Sequence, residues 1–251
     1  MNIVMIYFSG TGNSKYIVDY LGNKLKENNH NVEIYNIEQN PIIPIDTDLL
    51  VIGGPIYAGN VPEKLIRWVL RNVPESSANS IVYSTSAGLI NANGVDSLAK
   101  KLSKKGYNIL AKETYLMPRN FYFGKYPKNT KDEVNEMLKD VNKQLDELVD
   151  KICLDTLNYK EFENKGVLGK DLLAETFSVM SRFMGKSFSV DDNCIKCGIC
   201  VKNCPENNIN FDKDKNIRFS NKCMLCCRCI HNCPKNAINY KGKKYEQYSL
   251  L

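Results

Sequence analysis

Hydrophobic and polar positions over the first 150 residues fall into alternating blocks. Runs rich in Ile, Val and Leu at 3–8, 32–36, 49–53, 81–84 and 109–117 read as buried strands. Between and after them, 14–27, 62–72, 94–105 and 131–151 carry helical patterns. Only the second and third strands are joined without a helix, by a loop through Pro41 and Pro44. Such alternation predicts an α/β domain on a parallel sheet covered on both faces.

The pattern then changes. Residues 158–170 read as a connector. Leu173, Phe177, Met180 and Met184 follow at i, i+4, i+7 and i+11, one face of a helix expected to pack the domains together. A partner-binding or membrane-surface helix is the alternative, although the basic face expected of the latter is thin. From Phe188 the chain repeats itself at an offset of 29 residues: Cys194 aligns with Cys223, Cys204 with Cys233, and Ile209 and Phe211 with Ile238 and Tyr240. Each copy reads C-x2-C-x2-C-x3-C-P and then a short strand. The expected division is 1–155, a connector with its amphipathic helix at 156–187, a cysteine-rich domain at 188–240 and a polar tail at 241–251.

With 43% hydrophobic and 25% charged residues, the 251-residue chain reads as a soluble globular protein. Its longest apolar runs are too short for a membrane span. Asn2 enters an apolar stretch directly and Ser9-Gly10-Thr11-Gly12 ends it, which is unlike an export signal, so a cytoplasmic location is expected. The formal net charge of +6 invites a nucleic-acid reading. No basic run is interleaved with aromatics, and the anionic cofactors argued next would offset about four to six positive charges, so no nucleic-acid partner is expected.

Nine of the ten cysteines lie between Cys194 and Cys233, eight of them in the repeated motif. Without an export signal, such spacing points to metal ligands rather than disulfides. Three cysteines two residues apart can wrap three corners of one cube, and the Pro205 or Pro234 that follows the fourth turns the backbone toward another. Zinc sites pair two C-x2-C units across a longer loop, unlike these compact runs. The segment resembles the bacterial two-cluster ferredoxins. That resemblance implies a small α+β domain with two 4Fe–4S clusters in crossed ligation. Cluster one would take Cys194, Cys197, Cys200 and Cys233, and cluster two Cys223, Cys226, Cys229 and Cys204. Cys227 fills the slot of Gly198, and the x2 spacing leaves it as a small buried side chain near the cluster. Cys153 reads as structural, His231 as a neighbour of the cluster or a surface group, and His30 as solvated.

The other chemical signal is Ser9-Gly10-Thr11-Gly12-Asn13-Ser14, a loop of small and hydroxyl residues between a strand and a helix. It would offer backbone N–H groups and a helix dipole to a phosphate. It lacks the Gly-Lys-Ser/Thr ending of a nucleoside-triphosphate loop and the third glycine of a dinucleotide loop. Here the chain resembles the flavodoxins, whose FMN phosphate loop reads Ser/Thr-x-Thr-Gly-Asn-Ser/Thr. The resemblance implies a five-stranded parallel sheet in the order 2-1-3-4-5 with FMN at the strands' carboxyl ends. It also places Ser9, Thr11, Gly12, Asn13 and Ser14 at the phosphate. Two later loops fall where the flavin ring belongs: Pro55, Ile56, Tyr57, Ala58 and Gly59 in one, Thr85, Ser86, Ala87 and Gly88 in the other. Tyr57 is the candidate to flank the ring, with simple packing as the alternative. The second loop offers Ala87 and Leu89 where a second aromatic is usual; the segment 117–123, with Asn120, is a candidate to supply it, and coverage by the cysteine-rich domain is the other.

Joined, the halves resemble flavodoxin–ferredoxin fusion proteins of anaerobes. The resemblance implies an iron–sulfur flavoprotein that relays electrons between the clusters and FMN, with an unidentified redox partner protein. Two alternatives stand beside it. One is an FMN-dependent oxidoreductase for a small organic acceptor such as a quinone or an enone. The other is a redox-sensing or partner-binding protein.

Overall fold

The computed structural model describes residues 1–57, 59–88, 94–123, 126–157 and 170–250, without the side chains of 170–175 and 178. The chain divides into two compact units, Met1–Pro118 with Thr130–Ala174, and Arg119–Asn129 with Glu175–Leu251.

The first unit carries one parallel sheet of β1 (Asn2–Tyr7), β2 (Asn31–Asn36), β3 (Leu49–Pro55), β4 (Asn79–Ser86) and β5 (Asn108–Leu116), in the order β2-β1-β3-β4-β5. Its helices are α1 (Asn13–Glu27), α2 (Glu63–Asn72), α3 (Gly94–Ser103) and α4 (Lys131–Cys153). Every residue of the central β3 is buried, whereas the edge strand β2 buries only Val32. That is why β3 reads as an unbroken apolar run. Gly53 in β3 lies under Tyr83: a Cβ there would come within 2.1 Å of the Tyr83 carbonyl oxygen. The close approach lets the Tyr83 hydroxyl donate to the Ser14 carbonyl at 3.1 Å, joining β4 to the start of α1. Thr130 and Glu133 form a reciprocal cap on α4.

The second unit has α5 (Lys170–Gly185), of which Glu175 onward belongs to it, then β6 (Phe188–Val190), α6 (Ile199–Lys202), β7 (Ile209–Phe211), β8 (Ile217–Phe219), α7 (Arg228–His231) and β9 (Ile238–Tyr240). Antiparallel pairs β6–β9 and β7–β8 are three residues per strand. Strands that short enclose little apolar volume, so the unit fills its core from outside the repeat. Tyr122, Phe123 and Tyr248 join Phe188, Leu225, Ile230, Ile238 and Tyr240 in one buried cluster.

The two compact units interleave along the chain. Residues 119–129 leave the first unit and return to it, and the tail beyond 240 belongs to the core of the second. Gln247 Nε2 donates to the carbonyls of Ile230 at 2.9 Å and Cys233 at 2.7 Å, fixing that tail. On α5, Phe177 and Met184 pack against this core while Met180 is 53% exposed. The buried face is completed by Ser181, whose Oγ donates to the Cys223 carbonyl, and Gly185, where a Cβ would lie 2.2 Å from that of Cys223. The side chain of Leu173 and the connector at 158–169 lie outside the described residues. No helix among the described residues is long and apolar enough to cross a membrane.

Candidate cofactor sites

In the first unit the carboxyl ends of β1, β3, β4 and β5 converge. Ser9 Oγ accepts from the Gly12 N–H at 3.1 Å, curling the loop after β1. Gly12 has φ +109°, a left-handed conformation that favours glycine, and a Cβ there would meet nothing within 4 Å. Asn13 Nδ2 donates to the Pro118 carbonyl at 2.9 Å, drawing the end of β5 to the loop. The first turn of α1 holds no Asp or Glu, so nothing opposes an anion at the positive end of its dipole.

The other two loops meet this one. Pro55 pairs with Thr85, and the Ile56 N–H donates to the Thr85 carbonyl at 2.8 Å. Ser14 and Thr85 are both buried, and their hydroxyls share a hydrogen bond of 2.7 Å. They tie the start of α1 to the end of β4, a role their sequence positions do not reveal. Tyr57, partly buried, starts a tight turn in which its N–H donates to the Asn60 carbonyl at 2.8 Å. Gly59 at the tip has φ +94° and open space where a Cβ would be. Ser86 is half-buried, Ala87 and Gly88 are exposed, and Gly88 likewise faces open space. Ala58 and Leu89 lie outside the described residues. Asn120, expected beside the ring, belongs to the second unit. Glycines facing open space, a cradle between strand ends and an acid-free helix start together fit a phosphate-bearing planar group.

Among the described residues of the second unit lie two cavities, of about 370 and 360 Å³ counting the space at their mouths. The first is lined by Cys194, Cys197 and Cys200 from one copy of the repeat and Cys233 from the other. Cys223, Cys226 and Cys229 with Cys204 line the second, joined by Cys227. The repeat extends to the backbone. Left-handed residues recur at Lys196 and Leu225 (φ 54° and 56°), Gly198 and Cys227 (76° and 61°), and Asn207 and Asn236 (49° and 44°). These bends aim N–H groups at sulfur. Lys196 and Leu225 donate to Cys194 and Cys223 Sγ at 3.4 Å, and Asn208 and Ala237 to Cys204 and Cys233 Sγ at 3.2 and 3.3 Å.

Burial pushes the thiols of Cys200 and Cys223 up to about 11 and that of Cys226 to about 12, with Cys227 and Cys229 well above the usual range. A thiol buried this way is a thiolate only when a cation replaces its proton. Apolar walls, four motif cysteines in each and N–H groups already directed at sulfur fit an iron–sulfur cube in either cavity. Cys227 is buried in the position expected of it, its thiol donating to the Leu225 carbonyl at 3.2 Å. His231 is also buried, and both its nitrogens are used: Nε2 meets the Asn120 carbonyl at 2.7 Å and Nδ1 accepts from the Tyr248 N–H at 3.0 Å. Burial, with Lys128 nearby, holds the ring down to about 4, a neutral imidazole with no nitrogen left for iron. Cys153 is exposed and stands 3.6 Å from His30 Nε2.

A family model described as a flavodoxin domain matches residues 4–153, and one described as a 4Fe–4S dicluster domain matches 187–244. Among solved structures, a flavodoxin from Streptococcus pneumoniae is 14% identical, with 60% of this chain and 99% of that one covered and a TM-score of 0.43. The Fusobacterium nucleatum flavodoxin bound to flavin mononucleotide is 16% identical over 60% of this chain and 98% of that one, at 0.42. An archaeal flavodoxin is 13% identical over 60% and 99%, at 0.41. No curated protein matches the chain.

Proposed function

The chain belongs to the flavodoxin domain family and carries a 4Fe–4S dicluster domain behind it, and on that premise we propose that it relays electrons between two 4Fe–4S clusters and FMN. The observation that carries the reading is the grouping of the eight motif cysteines into two cavities, four in each, with each set completed by the other copy's last cysteine. In this reading Cys194, Cys197, Cys200 and Cys233 hold one cluster, and Cys204, Cys223, Cys226 and Cys229 the other. Ser9, Thr11, Gly12 and Asn13 hold the FMN phosphate, with Ser14 and Thr85 fixing the loop from behind. Pro55, Ile56, Tyr57, Gly59, Ser86, Ala87 and Gly88 border the ring. When bound, clusters supply one-electron steps and the flavin one- or two-electron steps.

The protein's own residues set the conditions for that chemistry. Apolar residues line both cavities, the second more deeply buried, and the N–H groups of Lys196, Asn208, Leu225 and Ala237 stabilise charge on the sulfurs. Anaerobic rapid mixing with a one-electron reductant tests the relay. Flavin absorbance should bleach in the wild type and lag at least tenfold in Cys197→Ser. Equal flavin rates in the two proteins would defeat it.

A second reading, an FMN oxidoreductase for a quinone or an enone, is favoured by the exposed Ala87 and Gly88 and the open space at Gly88. Steady turnover of a quinone by the reduced holoprotein is its expected result. Reduced flavin that persists unchanged in excess quinone would exclude it.

A further inference from the structure

The repeat breaks at a position that faces a cavity. Asn208 corresponds to Ala237 at the offset of 29 residues. Each stands four residues after the last cysteine of its run and donates its backbone N–H to that sulfur. Ala237 lines the first cavity with a methyl group, whereas Asn208, 1% exposed, lines the second. The Asn208 carboxamide oxygen accepts from the Lys222 N–H at 2.6 Å. That leaves the NH2 end, two strong donors, and no described residue accepts from it. A donor on so buried a residue is costly to leave unmet unless something at the site accepts from it.

The first copy meets the same backbone need by other means. There the counterpart of Lys222 is Asn193, whose N–H donates to Asp191 Oδ1 at 3.0 Å. Ser220 is the counterpart of Asp191. A serine in that place leaves the Lys222 N–H to Asn208, so two roles are available to the amide. One is an acceptor for backbone, and the other a donor into the cavity.

We propose that the Asn208 carboxamide donates a hydrogen bond to sulfur of the 4Fe–4S cluster in the second cavity and raises that cluster's electron affinity. The inference rests on the reading that Cys204, Cys223, Cys226 and Cys229 hold a cluster. A cluster grows more negative on accepting an electron; a donor to sulfur favours that state and burial disfavours it. Asn208 thereby offsets the burial that distinguishes the second cavity, and Ala237 has no such effect on the first.

The test is an anaerobic redox titration of the full-length holoprotein, followed by electron paramagnetic resonance, with iron counted on each sample. Asn208→Ala removes donor and acceptor together. The pair Asn208→Ala with Ser220→Asn gives the Lys222 N–H an uncharged acceptor from the position Asp191 fills in the first copy. In both variants one cluster couple should lose about tenfold in electron affinity, a shift of about 59 mV to the negative, while the other stays put. The idea falls if neither couple moves or if both move together. It falls equally if the double variant returns to the parent potential, which would leave the amide a backbone acceptor only. Loss of iron from both variants would also overturn it, since a tuning residue is not needed for assembly. A parent holding about four irons rather than about eight would remove the second cluster and the proposal with it, and iron counting alone would reveal that.

Discussion

In the first copy of the cysteine repeat Cys197 is exposed and its neighbours Ile195 and Ile199 are 58% and 37% exposed. In the second, Leu225, Cys226 and Cys227 are 5%, 8% and 2% exposed, and Ile230 and His231 are buried with them. The backbones match bend for bend. What differs is the residues between the ligands. Lys196, Gly198 and Lys202 of the first copy become Leu225, Cys227 and His231 of the second. These substitutions accept a cover made of 119–129, α5 and the tail. Spacing and left-handed bends thus form the ligand cradle, and the intervening side chains decide whether it meets water.

The largest expected effect breaks the comparison at its ligands. Cys197→Ser and Cys226→Ser should each lose about half of the iron. Only Cys226→Ser should also collapse the second unit, because it leaves a polar hydroxyl in a dry core. Iron analysis and near-ultraviolet circular dichroism would read both, and equal collapse would show the halves to be equally covered.

Next is Phe123→Ala, in a core that Tyr122, Phe188 and Tyr240 share. Its cost should be about 3–5 kcal/mol in denaturant unfolding of the second unit. Chelator should then strip the second cavity about as fast as the first, whereas in the parent the exposed Cys197 side gives way earlier. His231→Leu removes its hydrogen bonds with the Asn120 carbonyl and the Tyr248 N–H, and should cost about 1–3 kcal/mol without loss of iron. Cys227→Gly should be smallest, within about 1 kcal/mol, since relief of a left-handed side chain offsets lost packing.

The strands were legible because a doubly covered sheet demands unbroken apolar runs, and β3 is buried at every residue. Strand order came from the resemblance that Ser9 to Ser14 carries, and the sheet has that order. The cysteine motif was legible because its spacing is itself the geometry. Less legible were the parts whose burial depends on distant chain. Tyr122 and Phe123 follow a strand end and read as ring-binding candidates, yet they fill a core whose other buried members lie beyond residue 187. Tyr248 stands among polar residues, so neither periodicity nor composition marks it as buried. Ser14 resembles a phosphate contact, and its buried hydroxyl also shares a hydrogen bond with Thr85, which the sequence does not show. Asn208 was visible all along as the partner of Ala237, and only the cavity gives that mismatch a meaning.

The relay is tested most directly by an equilibrium reductive titration under anaerobic conditions, with the flavin and cluster bands followed on one sample whose iron, sulfide and FMN have been counted. About eight irons and one FMN per chain, with the flavin reduced as the clusters fill, is the predicted result. A flavin that stays oxidised while both clusters are fully reduced would contradict it.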